Sequence, residues 1–125
     1  WSSDVCSSDL TGGNPTVTYN VQVGRYTKIG NRVFFQLTID HSAKSGGSGT
    51  LTINLPFQVS STTGNYPSFV VGYSGAVTPA SKTGYTDPGR TDLFLQDYNV
   101  GTGNMATTAL NSSGTLMVSG QYQTN

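Results

Sequence analysis

Hydrophobic and polar residues alternate along most of this 125-residue chain. In RVFFQLTIDH, Val33, Phe35, Leu37 and Ile39 alternate with Phe34, Gln36, Thr38 and Asp40, the period of two that sets one face of a β-strand against a core. TLTINL repeats it with Leu51, Ile53 and Leu55, and TLMVSGQY with Leu116, Val118 and Tyr122. TVTYNVQV, SFVVGY and TDLFLQDYNV add β-branched and aromatic runs of strand length, and no window carries the 3.6-residue period of a helix. Turn residues lie between the runs. Gly30-Asn31 predicts a two-residue hairpin, Ser45 to Gly49 a flexible loop, and Asp87-Pro88-Gly89-Arg90 a turn in which Pro presets φ and Gly supplies the left-handed position. Asn111 to Gly114 is expected to close a last hairpin. Short strands at this spacing predict an all-β fold, an antiparallel two-sheet β-sandwich of jelly-roll-like type. Its expected core includes Phe35, Leu37, Ile39, Leu51, Ile53, Phe57, Val70 and Leu116.

The first ten residues, WSSDVCSSDL, break this pattern and hold the only Trp and the only Cys. They have neither the basic nor the apolar region of a signal peptide, and Cys6 has no second Cys to pair with. The stretch resembles a translated sequencing-library adapter: TGG AGT TCA GAC GTG TGC TCT TCC GAT CT encodes it codon by codon, with CT and any third base giving Leu10. The expectation is therefore that residues 1–10 are adapter-derived and outside the fold. Residues 11–125 then form one β-sandwich domain, truncated on its N-terminal side.

Setting those ten aside leaves 115 residues, enough for a single core. They hold six Lys and Arg against four Asp and no Glu, a formal charge of +2. So weak and scattered a charge offers no surface for nucleic acid or an acidic membrane, and no apolar run approaches the roughly 18 residues of a membrane span.

Candidate chemistry is sparse. A glycoside hydrolase needs two carboxylates across a cleft; Asp92 and Asp97 are five apart, which on a regular strand sends them to opposite faces. His41, the only histidine, follows Asp40 at a strand end, and without a nucleophile-elbow motif it reads as a solvated residue rather than part of a triad. Metal ligation lacks a spaced cluster of His, Cys or acidic residues. Gly101-Thr102-Gly103 has no Gly-Lys-Ser/Thr after it and reads as a turn. Asn111-Ser112-Ser113 matches a glycosylation acceptor, a pattern frequent by chance. No catalytic residue, metal or cofactor is expected.

Binding chemistry is better represented. Tyr66, Tyr85 and Tyr98 lie near turns, where they serve either the fold or a flat aromatic surface for sugar rings or a partner chain. Around the rigid Pro88-Gly89 turn, Tyr85 offers a stacking face while Asp87, Arg90 and Asp92 gather polar donors and acceptors, the mix of surface-loop recognition. Those four residues are the candidate receptor-binding site.

The runs VTYNVQVGRYTKIGNRVFFQLTID, SGGSGTLTINLPF and LMVSGQYQTN carry a resemblance. Tyr26 to Asn31 with Val33, then Gly49, Leu51, Ile53, Leu55, Pro56 and Phe57, then Ser119, Gly120 and Tyr122 are similar to motifs in the distal β-domains of bacteriophage tail-fibre and related virion proteins found in environmental phage sequences. The resemblance spans most of Pro15 to Tyr122 and departs between Ser60 and Asn111. It implies a non-enzymatic virion module for host attachment, a homotrimer on a phage tail, with a host surface glycan or protein as partner. Val33-Phe34-Phe35, apolar on both faces of its strand, fits packing on a neighbouring chain. The alternative is a monomeric carbohydrate-binding module or a non-catalytic part of a polysaccharide depolymerase.

Overall fold

A computed structural model describes residues 8–10, 13, 15–78, 83–98, 105–107 and 109–125. These residues are all-β, with eleven strands: β1 (Ser8–Leu10), β2 (Thr16–Ile29), β3 (Arg32–Ser45), β4 (Leu51–Asn54), β5 (Ser68–Ser74), β6 (Val77–Thr78), β7 (Thr83–Tyr85), β8 (Asp92–Tyr98), β9 (Met105–Thr107), β10 (Ala109–Leu110) and β11 (Gly114–Gln123). Every strand pairing is antiparallel.

Nine strands form one sheet in the order β1-β4-β8-β7-β5-β11-β3-β2, with β9 also paired to β8, and β6 and β10 form a separate ribbon. The strands are thus not shared between two comparable sheets, because β7 and β5 join the β4–β8 half to the β11–β3 half by continuous pairing. In a flat sheet β4 and β3 would stand five strand spacings apart, about 24 Å. Yet Leu51 and Ile53 of β4 share one buried cluster with Leu37 and Ile39 of β3. The sheet therefore curls, and its concave face encloses the core.

Local sequence explains the main elements. The β2–β3 hairpin turns at Gly30, which has φ 60°, while among the described residues none other than glycine takes positive φ. That combination is a type II′ turn, with glycine at its first central position. Gly46, Gly47 and Gly49, all at positive φ, carry the chain from β3 across to β4 at the other end of the sheet. Asn20 is an extra residue where the β2 register shifts, and the bulge brings its amide to Asp40, 2.9 Å away.

The alternation of β3 and β11 holds: Phe35, Leu37, Ile39, Leu116, Val118 and Tyr122 are buried, as are Leu51 and Ile53 of β4. Phe57 is partly buried against them. Val70 is a correction, since it is 66% exposed while Phe69 is buried. Consecutive apolar residues leave the parity of SFVVGY ambiguous; the pairing of Phe69 with Gly120 and of Val70 with Ser119 settles it. A Cβ on Gly120 would lie 2.5 Å from the Phe69 ring, so the glycine makes room for that ring.

Each end of the core is closed differently. At one end Val77 of β6 pairs with Leu110 of β10, and both are buried. Asn111 to Gly114 does not close a hairpin: β10 pairs with β6, and this link carries the chain over to β11. The Asn111 amide is engaged there, donating to the Gly75 carbonyl at 3.3 Å and accepting from the Thr78 hydroxyl at 2.6 Å. At the other end, Val59 bridges to Thr124, and the Ser60 N–H donates to the Gln123 carbonyl at 2.7 Å.

Ser8–Leu10, which the sequence places outside the fold, pairs with Leu51–Ile53 of β4. The free edge of β4 presents backbone N–H and C=O groups, which any extended segment satisfies whatever its side chains. Among the described residues this pairing comprises three residue pairs. Deleting residues 1–10 is accordingly expected to shift Tm by less than about 4 °C, the change that about 1 kcal/mol produces in a domain of this size. Thermal unfolding followed by circular dichroism checks this.

Candidate functional site

The turn Asp87-Pro88-Gly89-Arg90 forms as its residues dictate. The Arg90 N–H donates to the Asp87 carbonyl at 3.3 Å, and Gly89 has φ 80°, a type II turn with Pro at the first central position. Its mounting is rigid. The Gly89 N–H donates to the Val59 carbonyl at 3.2 Å, the Val59 N–H to the Arg90 carbonyl at 2.8 Å, and the Gln58 side-chain amide to the Gly89 carbonyl at 2.8 Å. Beneath the turn, buried Thr86 donates its hydroxyl to the Asp92 carbonyl at 2.5 Å.

Strand parity then arranges the side chains. Leu93 and Leu95 point into the core, so Asp92 and Phe94 project from the outer face, and Tyr85 pairs directly with Phe94 across β7 and β8. The Tyr85 and Phe94 rings lie 5.5 Å apart at 33°. The Arg90 guanidinium sits 4.4 Å over the Phe94 ring, and its Nε and Nη2 each donate to one Asp92 carboxylate oxygen at 2.7 Å. This fork holds the Arg90 pKa above its ordinary value, chiefly through the hydrogen bonds to Asp92 and further through the charges of Asp92 and Asp87.

Of the four sequence candidates, Tyr85, Arg90 and Asp92 are therefore brought together. Asp87 contributes its backbone carbonyl to the turn and its charge to the field around Arg90. Phe94, which joins the tyrosine to the arginine, was not among them. Its outward parity is legible in DLFLQ, but its contact with Tyr85 depends on a pairing of β7 with β8 that no local pattern announces.

Other candidates fall elsewhere. Tyr66 is 61% exposed in the loop before β5. The side chain of Tyr98 and the Gly101-Thr102-Gly103 turn lie outside the described residues. Asp92 and Asp97 stand on opposite faces of β8, at odd separation on a regular strand.

His41 corrects its sequence reading as a solvated residue. It is 2% exposed, with Nε2 2.9 Å from the Asn111 carbonyl and Nδ1 buried without a hydrogen-bond partner. The reason is parity again: β3 continues to Ser45, so position 41 falls on the core face under the Asn111 link. Asp40, its neighbour, faces the other way and accepts from Thr115 at 2.6 Å and from Asn20, hydrogen bonds that hold its pKa below the ordinary carboxylate value. Among the described residues, no group of three or more His, Cys, Asp or Glu is placed to share a metal ion, and no helix is long and apolar enough to cross a membrane.

Comparison with protein families, with curated proteins and with solved structures yields no match to this chain.

Proposed function

We propose that this chain is a non-enzymatic adhesion module, a distal tail-fibre domain of a phage virion that presents its turn around residues 84–92 to a host surface glycan or protein. On this reading the fold is a jelly-roll-like sandwich whose two leaves are the β4–β8 and β11–β3 halves of the curled sheet. The observation that carries the proposal is the stack of Tyr85, Phe94 and Arg90, pinned by Asp92 on a turn that is itself hydrogen-bonded to Gln58 and Val59. An aromatic face takes the C–H surface of a sugar ring, and a guanidinium fork held in place offers its remaining N–H donors to ring hydroxyls without paying fresh conformational entropy. The tail-fibre resemblance supports the virion setting and implies a trimer; a monomeric carbohydrate-binding module would use the same stack.

An array of bacterial surface polysaccharides, probed with the labelled full chain, tests the site. Tyr85→Ala and Arg90→Ala are each expected to weaken retention about tenfold or more, the loss of roughly 1.4 kcal/mol that one stacking or charged contact supplies. Undiminished binding by a folded double variant would exclude this turn as the receptor contact.

A further inference from the structure

The outer face of β2, β3, β11 and β5 is unusually apolar for a surface. Seven of the nine exposed large hydrophobic residues among those described lie on it, among them Val21, Val23, Phe34, Val70 and Met117. Between them stand mostly uncharged Thr, Ser and Gln, and two shallow hollows open there, one against Arg25 and Phe34 and one against Thr38 and Met117, with Gln36 shared by both. Depletion of charge around aromatic and Met side chains marks the centre of a protein interface.

We propose that this face pairs with the same face of a second copy of the chain about a two-fold axis over Gln36. The charge pattern selects the occupant. On β3 the outward positions run Arg32, Phe34, Gln36, Thr38, Asp40, so the one cation and the one anion stand at equal distances on either side of Gln36. An axis lying between the faces and across the strands runs β3 antiparallel over its copy. Asp40 then meets the partner's Arg32, Arg32 meets the partner's Asp40, and Phe34 covers the partner's Thr38. The same operation on β2, whose Arg25 is cross-strand from Gln36, sets Val21 against the partner's Ile29. Such self-complementarity is what a two-fold interface requires, and an unrelated partner would give no reason for it. Arg25 meets its own copy only at the sheet edge, where solvent screens the repulsion.

Area sets the strength. Four strands about 4.8 Å apart, over nine residues of about 3.3 Å each, span roughly 600 Å²; because this is the convex side of the curled sheet, a copy touches it chiefly along the middle strands, and the pair buries at most about 1,200 Å² in all, the lower end for specific interfaces. The pair is therefore reversible, forming as concentration rises. This two-fold pairing differs from the trimer that the tail-fibre resemblance implies, and it does not rest on the receptor site, whose residues lie on β7, β8 and the turn between them.

Sedimentation velocity on the full chain over a wide concentration range tests it. The expected result is a monomer–dimer equilibrium. Asp40→Arg and Arg32→Asp, each placing like charges opposite one another, are expected to weaken the dimer about tenfold or more, and the double exchange to restore it. Should Asp40→Arg not fold after losing its bonds to Asn20 and Thr115, exposed Arg32→Asp carries the test alone. A chain monomeric throughout, a trimer, a dimer indifferent to the single changes, or a folded double exchange that stays monomeric would each overturn the pairing.

Discussion

Replacing Tyr122 by Ala is expected to cost about 3–5 kcal/mol, the range for removing a fully buried aromatic side chain. Set against a total stability of roughly 5–15 kcal/mol, that brings the domain close to unfolding. Tyr122 is buried beside Phe35 and Phe69, with ring centroids 6.0 and 6.5 Å away. Its hydroxyl accepts from the Phe57 N–H at 3.1 Å and donates to the Phe57 carbonyl at 3.0 Å. It thereby fastens the segment that runs on through Gln58 and Val59 to the turn of the candidate site. Urea unfolding gives the number, and a loss under about 1 kcal/mol would mean that this end of the core is loosely packed.

Tyr122→Phe separates the hydroxyl from the ring. Burial pushes the phenol pKa up to about 12, with the hydrogen bond to Phe57 opposing and the proximity of Tyr26 adding to the rise. An unfolded tyrosine titrates near about 10. Because the folded state holds the proton more tightly, the associated stability is complete below about pH 10 and is lost as pH rises towards about 12. The wild-type chain should therefore lose more stability across that window than Tyr122→Phe does. Equal slopes would place the hydroxyl in contact with solvent.

The second large effect is expected at Leu37. Leu37→Ala should cost about 2–5 kcal/mol, because the side chain is buried in the middle of β3 and neighbouring backbone, fixed by β2 and β11 on either side, limits collapse into the cavity. Val70→Ala is the control: exposed on β5, it should change stability by about 0.5 kcal/mol or less. Comparable losses at the two positions, measured by the same urea titration, would mean that the core face has been assigned to the wrong side of one strand.

The contrast between Leu37 and Val70 locates the boundary of what local sequence carries. Where apolar and polar residues alternate strictly, as through RVFFQLTID with its one exception at Phe34, side-chain parity follows from the geometry of an extended chain. Where two or three apolar residues adjoin, as at Phe69-Val70-Val71, both parities bury something and only the neighbouring strand decides. His41 fell to the same limit from the other side: its burial depends on β3 running on to Ser45 and on the Asn111 link passing over it. The candidate site divides similarly. Tyr85, Arg90 and Asp92 were legible because a Pro-Gly turn fixes its own conformation and gathers what flanks it. Phe94 was not, because its place beside Tyr85 is a cross-strand relation.

By itself, then, the sequence determined the six longest strands, the turns at Gly30 and at Pro88-Gly89 and most of the core, since backbone sterics and side-chain burial act over a few residues. Glycine at position 30 sets a hairpin, Pro88-Gly89 sets a turn, and the period of two sets a buried face. Tertiary structure alone decided which strands lie side by side: that β7 and β5 join two halves into one curled sheet, that Ser8–Leu10 occupies the edge of β4, and that the apolar outer face of β2, β3, β11 and β5 is continuous. Those pairings bring together residues far apart in the chain through backbone groups that every residue shares, so they leave no local mark by which one partner could be told from another.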